Sequence, residues 1–274
     1  MRMPHIDAAS SPPVPLSAAR RVVSGLRRAI GTIEAASGLA AEPGAIRFGI
    51  AAIDSALDGG LLRGAMHEIA AAREAEIAAA TGFALTLAAR GTPRRPVLWI
   101  AEDMARKESG APYGPGLDDL GLPPERLLTV AAAKARDVLC AMEEGLGCRA
   151  VGAVIGEIRH DRGVDLTVTR RLSLAASRRD GLAFLLRTRP GTEASAAATR
   201  WIVGAAPSRP TSGSMFFGPG PSRFEVRLVR NRRGHLGSWL VEWNRVEQCF
   251  DLAPAHPEPV AQAALDRPRQ AAGA

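Results

Sequence analysis

Residues 48–90 read FGIAAIDSALDGGLLRGAMHEIAAAREAEIAAATGFALTLAAR, and the fold is decided there. The apolar positions of Ile53–Leu57 predict a short helix ended by Gly59 and Gly60, because glycine supplies the positive φ that a sharp stop needs. Gly64 then turns the chain into a short apolar strand at Met66–Ile69, and after a loop an Ala-rich helix runs from about Ile77 to Ala89. Strand, loop and helix form the frame in which a phosphate-cradling loop sits, since a helix N-terminus offers free N–H groups and a positive dipole end. The loop itself has the wrong chemistry. Between Ile69 and Thr81 there is no glycine and no Lys-Ser or Lys-Thr pair, and the candidate loop residues are Arg73, Glu74, Glu76 and Ile77. Backbone amides need glycines to approach phosphate, and Glu74 and Glu76 would repel it, so neither nucleotide binding nor ATPase activity is expected and no cofactor is assigned.

Working outward, RPVLWIAED predicts a buried strand at Val97–Ala101, an uninterrupted apolar run of the kind a parallel sheet covered on both faces requires. Glu102 and Asp103 are expected to leave its carboxyl end for solvent. Leu127–Ala131, Ala150–Ile158 and the segment LAFLLRT read as further strands, and Asp137–Gly145 and Asp165–Ser177 as helices. Ser195–Thr199 reads as a helical turn or loop facing outward. At the end, Arg223–Val229 and Ser238–Asn244 alternate apolar and polar residues around a turn, which predicts an antiparallel hairpin. The turn clusters Arg230, Arg232 and Arg233, which are candidate nucleic-acid contacts that would sense charge and not sequence.

Ahead of the core, Ser17 can cap a helix whose apolar stripe, Val22, Val23, Leu26, Ile30 and Ile33, is surrounded by Arg20, Arg21, Arg27 and Arg28. A linker with Pro43 and Gly44 follows, so Arg20, Arg21, Val22, Leu26, Arg27, Ile30 and Ile33 are candidate partner-binding residues. The expected organisation is a disordered leader over 1–16, a basic amphipathic helix and linker over 17–45, an α/β core over 46–250 and a disordered tail over 251–274.

The chain has 274 residues, 46% of them apolar, enough for one α/β domain with tails. A net charge of +7 and a pI near 10.4, carried by arginine far more than lysine, admit nucleic acid or an acidic protein surface as partner. Cys140, Cys148 and Cys249 lack metal-ligand spacing and read as buried thiols in a reducing compartment. Glu157, His160 and Cys148 lack the second close ligand pair that a metal site needs. No run approaches the ~18 apolar residues of a membrane span, and the first residues lack a secretory h-region, so a cytoplasmic protein that does not meet the membrane is expected.

The series F-G-I-x-x-I-D-x-A-L-x-G-G-L-x-R-G-x-x-H-E-I from Phe48, A-A-A-T-G-F-A-L from Ala78, Y-G-P-G-L at Tyr113, M-E-E-G-L-x-C at Met142 and S-A-A-A-T-R-W at Ser195 resembles the ImuA family, over roughly Phe48–Phe250. The resemblance implies a RecA-like, mostly parallel sheet flanked by helices. It also implies an accessory role in SOS-induced, error-prone translesion DNA synthesis. The implied partners are a Y-family polymerase-like mutasome subunit, an error-prone replicative-type polymerase and RecA; weak non-specific DNA contact is expected separately, from the net charge and the arginine turn. In RecA-like ATPases an acidic residue follows the second core strand and an Asp ends the magnesium strand; here those places hold Glu102-Asp103 and Gly156-Glu157. Three other readings remain: an ATPase with an unorthodox loop resting on Arg73, a DNA-binding repair protein, and an SOS cell-division inhibitor.

Overall fold

Seven consecutive buried residues, Ala65–Ala71, form β3, the strand on which the others are assembled. In the computed structural model, which describes residues 44–159, 163–208 and 220–253, β3 has parallel neighbours on both sides. One is β7 (Leu182–Arg187) and the other β8 (Thr199–Ala206). Beyond β7 lie β6 (Ala153–Ile158), β4 (Val97–Glu102) and the edge strand β5 (Leu127–Ala132), all parallel. Beyond β8 the sheet continues antiparallel through β9 (Arg223–Asn231), β10 (Gly237–Asn244) and β11 (Cys249–Leu252). The order β11-β10-β9-β8-β3-β7-β6-β4-β5 is consistent with the RecA-like arrangement. The expected hairpin is present as β9 and β10, within a larger antiparallel extension of the same sheet.

Successive strand side chains point to opposite faces, and this sheet is apolar on both over its parallel half. Leu182, Phe184 and Leu186 of β7 join one core with Ile69 of β3, while Ala183 and Leu185 join the other with Met66. The first core is covered by α2 (Ile77–Gly91), whose fully buried Ala80, Ala84 and Ala88 recur every four residues and let the helix lie close to the sheet. The second is covered by α5 (Ala135–Gly147) and α6 (Leu166–Ser177). Gly156 of β6 belongs to that face because a Cβ there would stand 2.0 Å from Met142 Sδ. In the antiparallel half only the α2 face is closed, around an aromatic group that includes Phe83, Trp201, Phe224 and Trp243. Phe48 and Phe250, the two ends of the recognisable sequence, stack there with ring centroids 5.7 Å apart.

The polar residues of the opening stretch hold the backbone together. The Asp54 carboxylate in α1 (Ala51–Ala56) accepts the N–H groups of Phe48, at 2.7 Å, and Gly49, at 3.1 Å. Gly60 sits at φ 132°, where a Cβ would be 2.7 Å from the Ile46 carbonyl oxygen; that close approach follows from the pairing of β1 (Ala45–Ile46) with β2 (Leu61–Leu62). Arg63 donates to the Gly91 carbonyl and pairs with Asp180 at 2.9 Å. Three short elements complete the connections: α3 (Asp103–Ser109), α4 (Gly114–Asp119) and a 3-10 turn at Pro124–Arg126. The Trp243 indole donates to the Asp119 carbonyl at 2.7 Å, pinning α4 beneath β10, with Leu117 and Leu122 buried and Tyr113 exposed.

Several expectations need correction. Ser195–Thr199 does not face outward: Ser195, Ala197 and Thr199 are at most 3% exposed. Their small side chains let the segment run under α6, where the Thr169 hydroxyl accepts the Ala196 N–H and the Met66 carbonyl accepts the Ala198 N–H. Glu102 does not enter solvent, because its carboxylate accepts the Arg159 N–H at 3.2 Å. Cys140, on the outward face of α5, and Cys148, just past the end of that helix, are exposed, and Cys249 is half-buried. The described strands run from Ala45 to Leu252. The helix expected over 17–45 and the tail after 253 lie outside the described residues. No described helix is long and apolar enough to cross a membrane.

His67, fully buried in β3, sits in a chain of hydrogen bonds whose directions are fixed by chemistry. The Leu62 carbonyl can only accept, so His67 Nε2–H donates to it at 2.8 Å. Nδ1 therefore accepts from the Thr199 hydroxyl at 2.8 Å, and Thr199 Oγ1 accepts the Trp201 indole N–H at 2.9 Å. Burial pushes the His67 pKa down from 6.5 to about 4, against the Leu62 hydrogen bond. A protonated ring would lose the Thr199 bond, so the folded state takes up that proton only near pH 4, whereas the unfolded chain takes it up near 6.5. Stability supplied by neutral His67 is thus complete above 6.5 and lost as the pH falls toward 4, by roughly 3 kcal/mol. Urea unfolding at pH 7 and pH 4 should show this loss, and His67→Gln should remove most of it.

Candidate functional site

The carboxyl ends of β3, β4, β6 and β7 form the edge at which open α/β sheets place their sites. At the end of β3 the chain passes through Ala72 and Arg73 into a 3-10 turn, Glu74–Glu76, and then into α2. Arg73, 79% exposed, pairs with Glu76 at 2.7 Å, and this contact holds the Glu76 carboxyl below its usual range. Glu74 turns the other way. Arg189, just past β7, reaches it at 2.5 Å, and Arg159, just past β6, at 3.7 Å.

Arg159 is the hub of this edge. Its guanidinium, 11% exposed, also pairs with Glu108 of α3; its N–H goes to Glu102, and its carbonyl accepts the Thr188 hydroxyl at 3.0 Å. Four strand ends are thereby tied by alternating arginines and carboxylates. The loop residues Arg73, Glu74, Glu76 and Ile77 stand where the sequence places them, with Ile77 opening α2. Cations that a phosphate would need are engaged with the loop's own carboxylates.

Beneath β4 and β6, Glu157 and Trp99 line a small cavity with Ala101, Ala105, Pro112 and Val130. Burial pushes the Glu157 carboxyl above its usual range, with Trp99 and Arg159 opposing and Glu102 adding to the rise. Val130 belongs to β5, the last strand on that side of the sheet among the described residues, where Leu128 and Val130 are more than 40% exposed. Among the described residues no group of three or more His, Cys, Asp or Glu side chains is arranged to hold a metal ion.

Inside the sheet, Glu68 is 1% exposed and pairs with Arg200, which also donates to the carbonyls of Gly191 and Glu193 at 3.0 Å each. Of the turn arginines, Arg230 comes near this pair. Arg230 is half-buried, and its guanidinium pKa is lowered by burial and by the neighbouring Arg232 and Arg200, with Glu68 opposing. The Ala198 carbonyl accepts the Arg232 N–H, and Arg233 lies 3.6 Å from Asp58. Arg230, Arg232 and Arg233 are thus partly committed to their own fold and do not form a detached basic tip. The candidate partner residues Arg20, Arg21, Val22, Leu26, Arg27, Ile30 and Ile33 lie outside the described residues. Sequence reasoning missed Arg159, Arg189 and Arg200; the signal available was an arginine just past each of two apolar strands.

No family model matches the chain. Two known proteins, each called Protein ImuA and from Caulobacter vibrioides strains NA1000 / CB15N and ATCC 19089 / CIP 103742 / CB 15, are 34% identical to it over 212 residues, covering 72% of this chain and 82% of theirs.

Removing one partner of a buried pair leaves an uncompensated charge, so Arg200→Met should lower stability by about 3–5 kcal/mol. Glu68→Leu/Arg200→Met should recover most of the loss, because no charge then stays buried. Glu74→Ala, at an exposed pair, should move the midpoint little. Urea titration of the three variants checks the ordering.

Proposed function

The chain belongs to the ImuA family, and on that premise we propose that it is a non-catalytic accessory protein of damage-induced, error-prone translesion DNA synthesis. In this reading it acts through protein contacts with a Y-family polymerase-like mutasome subunit, an error-prone replicative-type polymerase and RecA. The observation that carries the non-catalytic part is the loop after β3. Glu74 and Glu76 occupy the phosphate side of a strand-loop-helix frame, and Arg73, Arg159 and Arg189 are spent on them. The rival ATPase reading rests on Arg73, and that guanidinium is engaged by Glu76.

Protein contact is supported by β5, an edge strand among the described residues with exposed Leu128 and Val130, a surface that takes an added strand readily. The sequence adds a second element. The stripe Val22, Leu26, Ile30 and Ile33 is worth ~1.5–3 kcal/mol per large side chain if fully covered, and the arginines around it suit an acidic partner face.

Truncation before Ile46 tests the arm. The expected result is an unchanged melting temperature with loss of co-purification of the Y-family-like subunit. A fall of many degrees would make 17–45 part of the core, and retained co-purification would move the contact elsewhere.

A further inference from the structure

The amino ends of the parallel strands carry cations of a different kind. In a parallel sheet every connection from a helix back to a strand ends on the amino edge, so basic residues placed in successive connections converge there. Arg95 precedes β4, Arg149 lies between α5 and β6, and Arg178 and Arg179 lie between α6 and β7. All four are exposed and line one cleft of about 290 Å³, with Cys148 among its walls.

The cleft is built on fixed backbone. A Cβ on Gly152 would stand 2.6 Å from Thr92 Cβ and 2.7 Å from Arg95 Cβ, so only glycine lets these connections meet. Arg126 ties the same turn by donating to the carbonyls of Thr92 and Arg95. Unlike the arginines of the carboxyl edge, Arg95, Arg149, Arg178 and Arg179 pair with no carboxylate among the described residues. Asp180, next to Arg179, is taken by Arg63, and Glu143 by Arg171, while the exposed Glu144 makes no ion pair with any of the four. The C-termini of α5 and α6 contribute about half a negative charge each. Four guanidinium groups exceed that threefold or more.

We propose that this cleft binds the phosphodiester backbone of DNA. Guanidinium forks match phosphate oxygens in pairs, which suits four exposed arginines with no carboxylate of their own. No aromatic side chain lines the cleft, so bases are not stacked and sequence is not read. A protein partner would need an apolar centre to its contact, and of the large apolar residues here Leu146 and Val154 are buried and Val151 is half-buried, too little for such a centre. The site differs from the turn holding Arg230, Arg232 and Arg233, and it stands independently of the polymerase partners proposed above.

The test uses the full chain and a short fluorescein-labelled DNA duplex, with anisotropy read over a series of salt concentrations. Each phosphate contact contributes about −0.9 to the slope of log affinity against log salt. Arg95→Ser/Arg149→Ser/Arg178→Ser/Arg179→Ser should weaken binding at low salt by at least tenfold and flatten the slope by about 3, while the corresponding four lysine substitutions should keep most of both. Arg230→Ser/Arg232→Ser/Arg233→Ser should leave most of the slope in place. Because Cys148 lies in the cleft, duplex should also slow its modification by a maleimide in the unsubstituted protein, with the exposed Cys140 as internal control. An unchanged slope in the serine variant, or equal Cys148 modification with and without duplex, overturns the proposal. So does protection of Cys148 by polyglutamate but not by DNA, which would assign the cleft to an acidic protein.

Discussion

The structure depends on satisfying two polar side chains inside a strand that is buried on both faces. His67 and Glu68 sit side by side in β3, at most 1% exposed. Each meets β8: His67 through the Thr199 hydroxyl and Glu68 through Oε2, which accepts from the Arg200 guanidinium, while Glu68 Oε1 has no hydrogen-bond partner among the described residues. An unpaired carboxylate in that position would cost several kcal/mol, so β8 is bound to β3 by register as well as by backbone pairing. Trp201, the next residue, closes the chain of hydrogen bonds and supplies one of the two buried indoles of the α2 face. The antiparallel strands then add to β8, which makes this one contact the joint between the two halves of the sheet.

How much of this was legible depended on whether a residue's role was set locally. The strands at Val97–Glu102 and Leu182–Arg187 were readable because a parallel sheet needs unbroken apolar runs, and the stop after α1, though not its start at Ala51, because glycine alone tolerates the turn at Gly60. Ser195–Thr199 was misread because its burial comes from α6 and β3, which lie far away in sequence. Arginines carry the same ambiguity. Arg189 and Arg95 look alike in a sequence, yet one meets Glu74 and the other meets no carboxylate among the described residues. A parallel topology, not composition, gathers the first kind at one edge and the second at the other.

That division gives the molecule two opposed electrostatic edges. On the carboxyl edge, arginines and glutamates alternate from Arg73 to Arg189, and a loop with the frame of a phosphate cradle is closed by its own side chains. On the amino edge, positive charge is left over. The carboxyl edge is thereby tied across four strand ends, while the arginines without carboxylates lie at the other edge. The exposed edge of β5 and the basic sequence ahead of the core suit the contact role proposed above.

The most direct measurement is isothermal titration of the full chain with magnesium-ATP in the millimolar range, at low ionic strength where any phosphate contact is strongest. With Arg73, Arg159 and Arg189 committed to Glu74 and Glu76, no saturable heat is expected, and Glu74→Ala/Glu76→Ala should leave the titration flat because glycines and a lysine are still missing. A saturable isotherm in the unsubstituted protein, abolished by Arg73→Ala, would contradict this and make the loop a nucleotide site.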